Sequence, residues 1–482
     1  MEIARIVKQH SPVRFSFVTS GDPSIFFMPG DFLEIVSPTG GGILIIVEQI
    51  VGQYVNKQKG FYAEYTYIGR FASQGESQGV VGLSVRIPTT DTITNFFAKK
   101  PDNDFLVGEL AKEANHIPVL INGSKLLDTH SCFFGTSGSG KTTLLGVVIE
   151  QILLKLKEPQ VIVLDLNSSF TSFNQPLTEA EANYNKNKCA TLSTTDILSQ
   201  QAIIHSLNII LNSRPKIYLG RLTPTEFLQA LPKDNIPETD YVLRTIFKRL
   251  NLAHIPITIE ACIEELHKYL QEKDVPGNSF DSFIPIEIKR QATFVLEKLF
   301  QTAKEEGIWT ANLVDSLDCL KEPSLARFIQ FDLGHLPYPS RSMFSERIFQ
   351  FLWDRNEAKP YPTFIVVDEA HNLAPTMISH YWQSGTLEWL NRIAGEGRKY
   401  GLYLLLASQR PAKIHSNTLD NCRNFFLLNM QNQDDLETIA RRTTVVSRSL
   451  INRIAFFNKG QTLIFGDTTP PVIINAGRRF QK

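Results

Sequence analysis

The sequence feature that most limits the possible folds is a glycine-rich segment, GTSGSGKTT, at residues 135–143. It fits the pattern G-x-x-x-x-G-K-[ST] at every defined position. Glycines let the backbone turn so tightly that several N–H groups point at one phosphate. A helix that follows aims the positive end of its dipole at the same point. The segment is therefore predicted to be a phosphate-binding loop, and the alternative is a flexible Ser/Gly turn.

The segments on both sides of the loop agree with the first interpretation. The short apolar run THSCFFG precedes it, and the segment KTTLLGVVIEQILLKLK follows it. Apolar residues recur there at helical spacing: Leu144, Val148, Ile152 and Leu156. A buried-type strand, VIVLD, comes next at residues 161–165. This order of strand, loop, helix and strand is the context that a phosphate-binding loop requires.

The loop assigns candidate roles to its own residues and implies ATP and Mg²⁺ as ligands. Lys141 is expected to reach the β- and γ-phosphates, and the Thr142 hydroxyl to ligate Mg²⁺. The residues expected to bind the nucleotide are Gly135, Thr136, Ser137, Gly138, Ser139, Gly140, Lys141, Thr142 and Thr143.

A second element, FIVVDEAHNL at residues 364–373, is an apolar strand that ends in two acids. Asp368 can hold Mg²⁺ through its water shell, and Glu369 can orient the attacking water. An apolar strand before Asp-Glu is common, so only the pairing with the loop points to catalysis. The adjacent glutamate implies ATP hydrolysis and not transfer to a bound acceptor. His371 is expected to be packed or hydrogen-bonded and not to ligate a metal.

A third element, residues 391–411, contains the strand LYLLLAS, which ends before Gln409. Gln409 could sense the γ-phosphate from a neighbouring strand. The preceding helix carries Arg392, Arg398 and Lys399. An arginine there could reach the nucleotide of an adjacent subunit, where such a residue accelerates hydrolysis by roughly 10³–10⁵-fold. The alternative for each arginine is a solvated helix face.

The chain-wide pattern predicts an α/β fold with a β-rich N-terminal domain. Residues 1–95 contain RFSFVT, FLEIVS, GILIIVEQIVG, FYAEYTYIGRF and GLSVRI, which predict five or six short strands in a small barrel or sandwich. Residues 96–174 lead into the ATPase core, 175–322 are mostly helical by pattern, and 323–482 return to strand–helix alternation. That alternation predicts a parallel sheet covered on both faces.

Composition and charge exclude several classes of protein. Lys+Arg and Asp+Glu both number 49, which argues against a globally basic nucleic-acid binder but leaves a local basic surface open. No run approaches the roughly 20 apolar residues of a spanning helix, and the N-terminus lacks a signal peptide. The five cysteines are scattered, so neither a disulfide framework nor a zinc site is expected. A cytoplasmic location is the resulting expectation.

The three motifs together carry a resemblance to a known family. HSCFFGTSGSGKTT, FIVVDEAHNL and GRKYGLYLLLASQRP, in this order, resemble the HerA branch of the HerA/FtsK ATPases. The lead-in IPVLINGSKLLDTHSCFFG is also similar. The N-terminal region is similar in place and size to that family's small barrel, and the helical segment 175–322 matches the family's insertion by position only.

The resemblance implies a RecA-like P-loop NTPase core that assembles as a hexameric ring and translocates double-stranded DNA. It also implies a partner docked through the N-terminal barrel, either a NurA-like nuclease or an NAD-cleaving, sirtuin-like effector. DNA end processing or antiphage defence is the corresponding biological role.

The family's site residues carry over to matching positions. Lys141 and Thr142 correspond to the phosphate and Mg²⁺ residues, Asp368 and Glu369 to the Mg²⁺ and water residues, and Gln409 to the sensor. The arginine that acts on a neighbouring subunit falls within residues 391–398, and Arg398 is preferred over Arg392.

One segment departs from the family pattern. Asp165 lies where the family often has Asp-x-x-Gly-Glu, but Ser168 and Ser169 stand in place of Gly and Glu. Either a catalytic role or a role in the fold alone is compatible with Asp165.

The sequence is least informative about DNA contacts. Candidates are the loop with His380 and Trp382, the stretch around Lys413, and IARRTTVVSR at residues 439–448. A solvated surface is the alternative for each. Two other functions also remain open: an ATP-gated scaffold that organises an effector enzyme with little translocation, and a secretion or conjugation ATPase.

Overall fold

The computed structural model describes residues 3–11, 14–19, 26–36, 42–56, 62–71, 81–98, 104–111, 116–170, 209–212, 217–218, 223–224, 237–271, 286–306, 309–310, 316–379 and 382–477. The chain divides into two compact units. Unit 1 comprises Met1–Pro159, Ser172–Leu207 and Tyr403–Lys482, and unit 2 comprises Gln160–Thr171 and Asn208–Leu402.

The described strands, numbered in chain order, are β1 Ala4–Ser11, β2 Arg14–Thr19, β3 Phe32–Val36, β4 Gly42–Asn56, β5 Tyr62–Phe71, β6 Ser84–Arg86, β7 Asp104–Leu110, β8 Pro118–Asn122, β9 His130–Phe134, β10 Gln160–Asp165, β11 Ile209–Asn212, β12 Ile217–Tyr218, β13 Trp309–Thr310, β14 Phe328–Asp332, β15 Thr363–Val367, β16 Leu402–Ser408, β17 Cys422–Leu427, β18 Gln461–Phe465 and β19 Val472–Ala476.

The described α-helices are α1 Thr90–Ala98, α2 Lys141–Lys155, α3 Pro237–Leu252, α4 Ile259–Gln271, α5 Ile286–Glu306, α6 Tyr338–Ala358, α7 Trp382–Glu396, α8 Ser416–Asp420, α9 Gln433–Ala440 and α10 Arg448–Arg453. Short 3₁₀ turns lie between several of them, including Gly397–Tyr400 and Ile454–Phe456.

The N-terminal strands of unit 1 form a closed antiparallel barrel in the order β1-β2-β5-β4-β3-β6. Its core contains the fully buried side chains of Phe15, Phe17, Ile35, Ile45 and Val85. The sequence analysis left a barrel and a sandwich open, and the pairing of β1 with both β2 and β6 closes the sheet on itself. β1 itself is not among the five segments that the sequence pattern identified, because its polar residues interrupt the apolar alternation.

The remaining strands of unit 1 lie in the order β16-β9-β17-β18-β19-β7-β8. β16, β9 and β17 are parallel, as predicted. The prediction of a parallel sheet is wrong for β18, β19, β7 and β8, which are antiparallel to their neighbours. Only residues 466–471 join β18 to β19, and a parallel pair needs a crossover of a dozen or more residues.

Helix α2 is more deeply buried than an amphipathic helix would be. Leu144, Val148 and Ile152 are fully buried, as the spacing predicts, but Glu150 and Gln151 are buried as well. The Gln151 Oε1 accepts a hydrogen bond of 3.1 Å from the backbone N–H of Leu106 in β7. Residues 96–174, which were expected to lead into the ATPase core, therefore supply a strand, β7, that packs beside this helix.

The strands of unit 2 are all parallel, in the order β11-β14-β10-β15. β10 is buried throughout, as are β14 and β15, which fits their continuous apolar runs. The described part of the predicted helical segment 175–322 contains α3, α4 and α5, which pack on one another. It also contains the short strands β11, β12 and β13, which were not predicted.

Two details of that segment lie partly or wholly outside the described residues. The segment LTPTEFLQAL predicts a helix start with Thr223 as the cap, Pro224 in the first turn and Glu226 closing a capping box; Thr223 and Pro224 are described, and Glu226 is not. Residues 274–280, whose sequence DVPGNSF predicts a loop, lie outside the described residues. Within the described helices of both units, none combines the length and the apolarity that a bilayer crossing needs.

Candidate functional site

The glycine-rich segment of unit 1 leaves the end of β9 and enters α2, as the sequence analysis predicted. Gly138 has φ +77° and Gly140 has φ +106°, which is the left-handed region that favours glycine. Gly140 is the residue before α2, and Lys141 is the first residue of the helix. The backbone therefore makes the tight turn that a phosphate-binding loop needs immediately before a helix N-terminus.

Three strand ends hold the loop in place. The Gly135 N–H donates to the carbonyl of Ser408 at the end of β16, at 3.3 Å. The Thr136 N–H and hydroxyl both donate to the carbonyl of Asn429, at 2.9 and 3.0 Å. The carbonyl of Ser139 accepts from the Gly460 N–H at 2.9 Å. These contacts, most of them between backbone groups, therefore fix the conformation of the loop.

Gly135 is required by close packing. A Cβ atom at this position would lie 2.6 Å from the Ser139 Oγ and 2.9 Å from the Leu428 Cβ. The Ser139 hydroxyl donates to the Thr136 carbonyl at 2.8 Å, so it cannot move away without losing that bond. A larger side chain at Gly135 would therefore distort the loop.

The exposure of the loop differs along its length. Ser137 and Gly138 are exposed, whereas Lys141 is buried with 7% of its surface accessible. Thr142 and Thr143 are half-buried in the first turn of α2. The first N–H groups of a helix have no partner within the helix, and the helix dipole adds positive potential there. An anion such as a phosphate fits this arrangement.

Gln409 directly follows β16, which pairs in parallel with β9, the strand that leads into the loop. The carbonyl of Ser408 accepts the hydrogen bond from Gly135, so Gln409 is one residue from a direct contact of the loop. Gln409 is half-buried. The geometry matches the neighbouring-strand position that the sequence analysis assigned to it.

Asp368 and Glu369 lie in unit 2 at the end of β15. Their side chains are buried, with 2% and 4% of their surface accessible. The Asp368 N–H donates to the carbonyl of Leu164 at 3.2 Å, which continues the pairing with β10. One Asp368 carboxylate oxygen accepts from the Glu369 N–H at 3.0 Å. Both acids are thus held at a strand end by backbone contacts.

Glu369 has an unusual backbone conformation for a residue with a side chain. Its φ is 48° and its ψ 50°, in the left-handed region. Such residues cost of order 1–3 kcal/mol and often occur at functional sites. The His371 Nδ1 lies 3.3 Å from a carboxylate oxygen of Glu369. His371, which was expected to be packed or hydrogen-bonded, is half-buried beside this acid and can orient its carboxylate.

Asp165 anchors the loop that follows its own strand. Its carboxylate accepts hydrogen bonds from the backbone N–H groups of Asn167, Ser169 and Phe170, at 3.2, 2.8 and 2.8 Å. It also accepts from the side-chain amide of Gln330 at 2.8 Å. Burial raises the pKa of this carboxyl, and the backbone donors oppose that shift. These contacts favour the role in the fold that the sequence analysis left open.

A neighbouring network was not predicted from the sequence. Ser168, which stands where the resembled family has glycine, has φ +55°, and its hydroxyl donates to Asp332 at 2.7 Å. The guanidinium of Arg341 donates to the carbonyls of Leu166, Gly334 and Leu336. It thereby joins the loops that follow β10 and β14. The one clue in the sequence was that Ser168 stands where the resembled family has glycine, whereas nothing in the sequence singles out Arg341.

The two candidate arginines differ in their surroundings. The Arg392 guanidinium lies over the rings of Trp353 and Trp389, at 4.1 and 5.2 Å from the ring centroids. Arg398 is exposed on the 3₁₀ turn Gly397–Tyr400, which follows α7. Stacking on two indoles is a stabilising use of a cation. Both arginines are exposed, and Arg392 is engaged within its own unit. The preference for Arg398 stays a prediction.

The candidate DNA-contacting residues of unit 1 are mostly paired with acids. Arg441 and Arg448 both contact Glu437, at 3.2 and 2.9 Å. Arg442 lies 2.9 Å from Asp420. Lys413 is exposed. The two candidates of unit 2, His380 and the side chain of Trp382, lie outside the described residues.

The structure distributes the predicted residues over the two units. The loop residues Gly135–Thr143 and Gln409 lie in unit 1, and Asp165, Asp368, Glu369, Arg392 and Arg398 lie in unit 2. In the described part of the chain, no group of three or more His, Cys, Asp or Glu residues could hold a metal ion.

Comparison with known proteins agrees with these motifs. The family model described as helicase HerA, central domain, matches residues 105–345, which is half of the chain. The chain is 22% identical over 415 residues to the DNA double-strand break repair helicase HerA of Sulfurisphaera tokodaii, covering 82% of this chain and 72% of that protein. It is 23% identical to a probable helicase of Methanocaldococcus jannaschii over 365 residues, covering 73% of this chain and 62% of that protein.

A solved structure is also similar. The bacterial conjugative coupling protein TrwBdeltaN70, in an unbound monoclinic form, has a TM-score of 0.48 and 14% identity, covering 81% of this chain and 92% of that chain. The family model spans the phosphate loop together with β10 and β14, and its extent confirms the resemblance seen in the motifs. The chain belongs to the HerA helicase family and is an ATPase.

Proposed function

We propose that this ATPase is a DNA motor that assembles as a hexameric ring and translocates double-stranded DNA. The observation that carries the proposal is the loop of unit 1, where Gly138 and Gly140 adopt left-handed conformations directly before Lys141 and helix α2. The motif order and the two helicase relatives support the motor function. Both relatives carry names that describe a helicase, and one of them a role in double-strand break repair.

The proposed roles within the loop follow from its geometry. The backbone N–H groups of residues 135–143 hold the phosphates, and Lys141 neutralises charge on the β- and γ-phosphates. Gln409 senses the γ-phosphate. Because Lys141 is buried at the start of α2, its charge acts in a partly desolvated environment, where electrostatic interactions are stronger than in water.

Mg²⁺ fits the donors that the chain offers. The hydroxyl of Thr142 and the carboxylate of Asp368 are hard oxygen donors, and Mg²⁺ commonly uses one or two protein oxygens together with phosphates and waters. The ion would neutralise charge on the phosphates, while Glu369 orients the attacking water.

The trans-acting arginine is proposed to be Arg398, with Arg392 as the alternative. Arg398 is exposed at the end of α7, so it can contact a neighbouring subunit. A residue of this kind requires more than one subunit, which supports the ring. The proposed partner, docked through the N-terminal barrel, is a NurA-like nuclease or a sirtuin-like NAD-cleaving effector. The corresponding role is DNA end processing or antiphage defence.

A second candidate function is an ATP-gated scaffold that organises an effector with little translocation. One specific observation favours it: Arg441, Arg442 and Arg448 are each paired with an acid, which reduces the net positive charge available for a DNA backbone. Phosphate contacts by Lys and Arg supply much of the affinity of DNA-binding proteins. A surface of balanced charge therefore suits a protein partner better.

ATP turnover with and without duplex DNA distinguishes these functions. The motor predicts strong stimulation by DNA, whereas the scaffold predicts turnover that responds only to a protein partner. The variants Lys141→Ala and Glu369→Ala serve as inactive controls. Sedimentation analysis with ATP and DNA present measures the assembly, and a monomer under those conditions would contradict the ring.

A further inference from the structure

Asn429, two residues after β17 in unit 1, contacts both the phosphate loop and a second segment. Its backbone carbonyl accepts both hydrogen bonds from Thr136, at 2.9 and 3.0 Å. Its side-chain amide donates to the carbonyls of Ala455 and Phe457, at 3.2 and 2.8 Å. One residue therefore joins the loop to the 3₁₀ turn Ile454–Phe456.

The residue before that turn contacts the barrel. Arg453 ends α10, and its guanidinium donates to the carbonyl of Pro29 and lies 3.7 Å from Asp31. Its side chain is 15% exposed, and burial lowers the pKa of the guanidinium while Asp31 opposes the shift. Removing a partner from a buried charge is strongly destabilising. Arg453 and the barrel residues 28–31 are therefore expected to move together.

Residues 28–31 of the barrel form a tight turn seated on the rest of unit 1. The Asp31 N–H donates to the Met28 carbonyl at 2.9 Å, and Gly30 has φ +97°. A Cβ on Gly30 would lie 2.7 Å from the Ile473 side chain and 3.0 Å from the Leu450 side chain. The backbone angles of a type II turn favour proline at its second position and glycine at its third, which are Pro29 and Gly30 here.

A cavity of about 460 Å³ lies beside this contact. Met28, Asp31, Arg453, Phe456 and Gln461 are among its lining residues, and 85% of the Phe456 surface is exposed. At this cavity, apolar side chains do not fill the space between the barrel turn at residues 28–31 and the segment after α10. The polar contacts of Arg453 and Asn429 therefore have more influence on the spacing there.

We propose that Asn429 is a positioning residue that couples nucleotide binding in the loop to the barrel turn at residues 28–31. The inference rests on the proposed binding of ATP phosphates by residues 135–143. A bound phosphate fixes Thr136 against the Asn429 carbonyl, and the Asn429 amide then holds the segment at residues 455–457. Arg453, two residues earlier, transmits the restraint to Pro29 and Asp31. The contacts are continuous, and the coupling itself is what the experiment measures.

The first test is the variant Asn429→Ala, which removes the side-chain amide but keeps the carbonyl that Thr136 uses. The KM for ATP should rise about tenfold, with kcat changed less than about twofold, because two hydrogen bonds that support the ground-state loop are lost. Asn458→Ala is the matched control, because Asn458 is exposed and lies one residue beyond Phe457. It should change neither constant by more than about twofold.

The second test is hydrogen exchange with and without a non-hydrolysable ATP analogue at saturating concentration. In the unsubstituted protein, the analogue should slow exchange at residues 135–143 and also at Met28, Gly30 and Asp31. In Asn429→Ala, protection of the loop should remain and protection of the barrel turn should disappear. Asn458→Ala should behave like the unsubstituted protein.

The outcomes separate two failures. No protection of the loop in the unsubstituted protein would overturn ATP binding at this loop. Protection of the loop alone, or barrel protection that survives in Asn429→Ala, would overturn the coupling only. If Asn429→Ala does not fold, Arg453→Lys tests the coupling from the other end. It keeps the charge but cannot reproduce the guanidinium geometry, so it should abolish barrel protection; unchanged protection would refute the coupling.

Discussion

Different kinds of contact hold the phosphate loop of unit 1 and the acidic strand ends of unit 2 in place. The loop is shaped by glycine conformations and held by backbone contacts from Ser408, Asn429 and Gly460. The strand ends depend on side chains, because the Asp165 carboxylate alone accepts three backbone N–H groups and one amide. Substitutions in the loop should therefore change its backbone conformation. Substitutions at the strand ends should leave backbone N–H groups without a hydrogen-bond acceptor.

The largest effects should come from one charged residue in each region. Lys141→Ala should lower kcat/KM for ATP at least about 100-fold, because a charge that stabilises the transferring phosphoryl group is lost.

Glu369→Gln should lower kcat by a similar factor but leave nucleotide affinity within about threefold, since it removes the water-orienting carboxylate. Turnover and fluorescent-nucleotide binding measure the two quantities. Normal turnover in Glu369→Gln would remove Glu369 from the proposed chemistry.

The two candidate arginines should differ in their effect on turnover, although the loss of turnover should be smaller than that expected for Lys141→Ala. Arg398→Ala should reduce turnover at least about 10-fold in the assembled protein, because a trans-acting guanidinium stabilises the transition state. Arg392→Ala should mainly lower stability, by about 1 kcal/mol, as its stacking on Trp353 and Trp389 is lost. Turnover of mixed assemblies of Arg398→Ala and Lys141→Ala subunits provides the test. If Arg392→Ala loses turnover while Arg398→Ala does not, the assignment is reversed.

Asp165→Asn should destabilise unit 2 by about 2 kcal/mol, because the new amide cannot accept from the donors that the carboxylate satisfies. Asp354→Asn, at an exposed position, is the control and should cost less than about 0.5 kcal/mol. Chemical denaturation measures both.

The same variant has a pH dependence with a defined sign. Burial raises the pKa of Asp165, so the folded protein holds this proton more tightly than the unfolded chain does. The resulting stabilisation is present below the unfolded-state pKa of about 3.9 and is lost as pH rises through the raised folded-state pKa. The difference in stability between the unsubstituted protein and Asp165→Asn should therefore narrow as pH rises; a widening difference would contradict the shift.

A last pair of substitutions compares two glycines of the loop. Gly135→Ala should cost about 1–3 kcal/mol, because its Cβ would clash with Ser139 and Leu428. Gly138→Ala should cost only about 1–2 kcal/mol of backbone strain, because nothing lies within 4 Å of its Cβ position. Only Gly135→Ala is expected to raise the KM for ATP. Equal effects of the two variants would mean that packing at Gly135 does not shape the loop.

Most of the strands and the loop could be predicted from the sequence. The segment LYLLLAS matches β16 residue for residue, and HSCFF and FIVV fall within β9 and β15. These strands are continuous apolar runs, which is a local signal. β7, β8 and β19 could not be predicted in the same way, and neither could the antiparallel pairing of β18. β7 pairs with its sequence neighbour β8 but also with β19, which lies more than 350 residues away, so the place of these strands in the sheet is set by tertiary packing.

The sequence alone determined the phosphate loop, the acidic pair at Asp368 and Glu369 and the family, because these depend on residue type and short spacing. Tertiary structure decided which side chains act together over long separations. It joined Asn429 to the loop, stacked Arg392 on two tryptophans and used Arg341 to connect two loops. A glycine permits a left-handed backbone at its own position, whereas a hydrogen bond between distant residues exists only after the chain has folded.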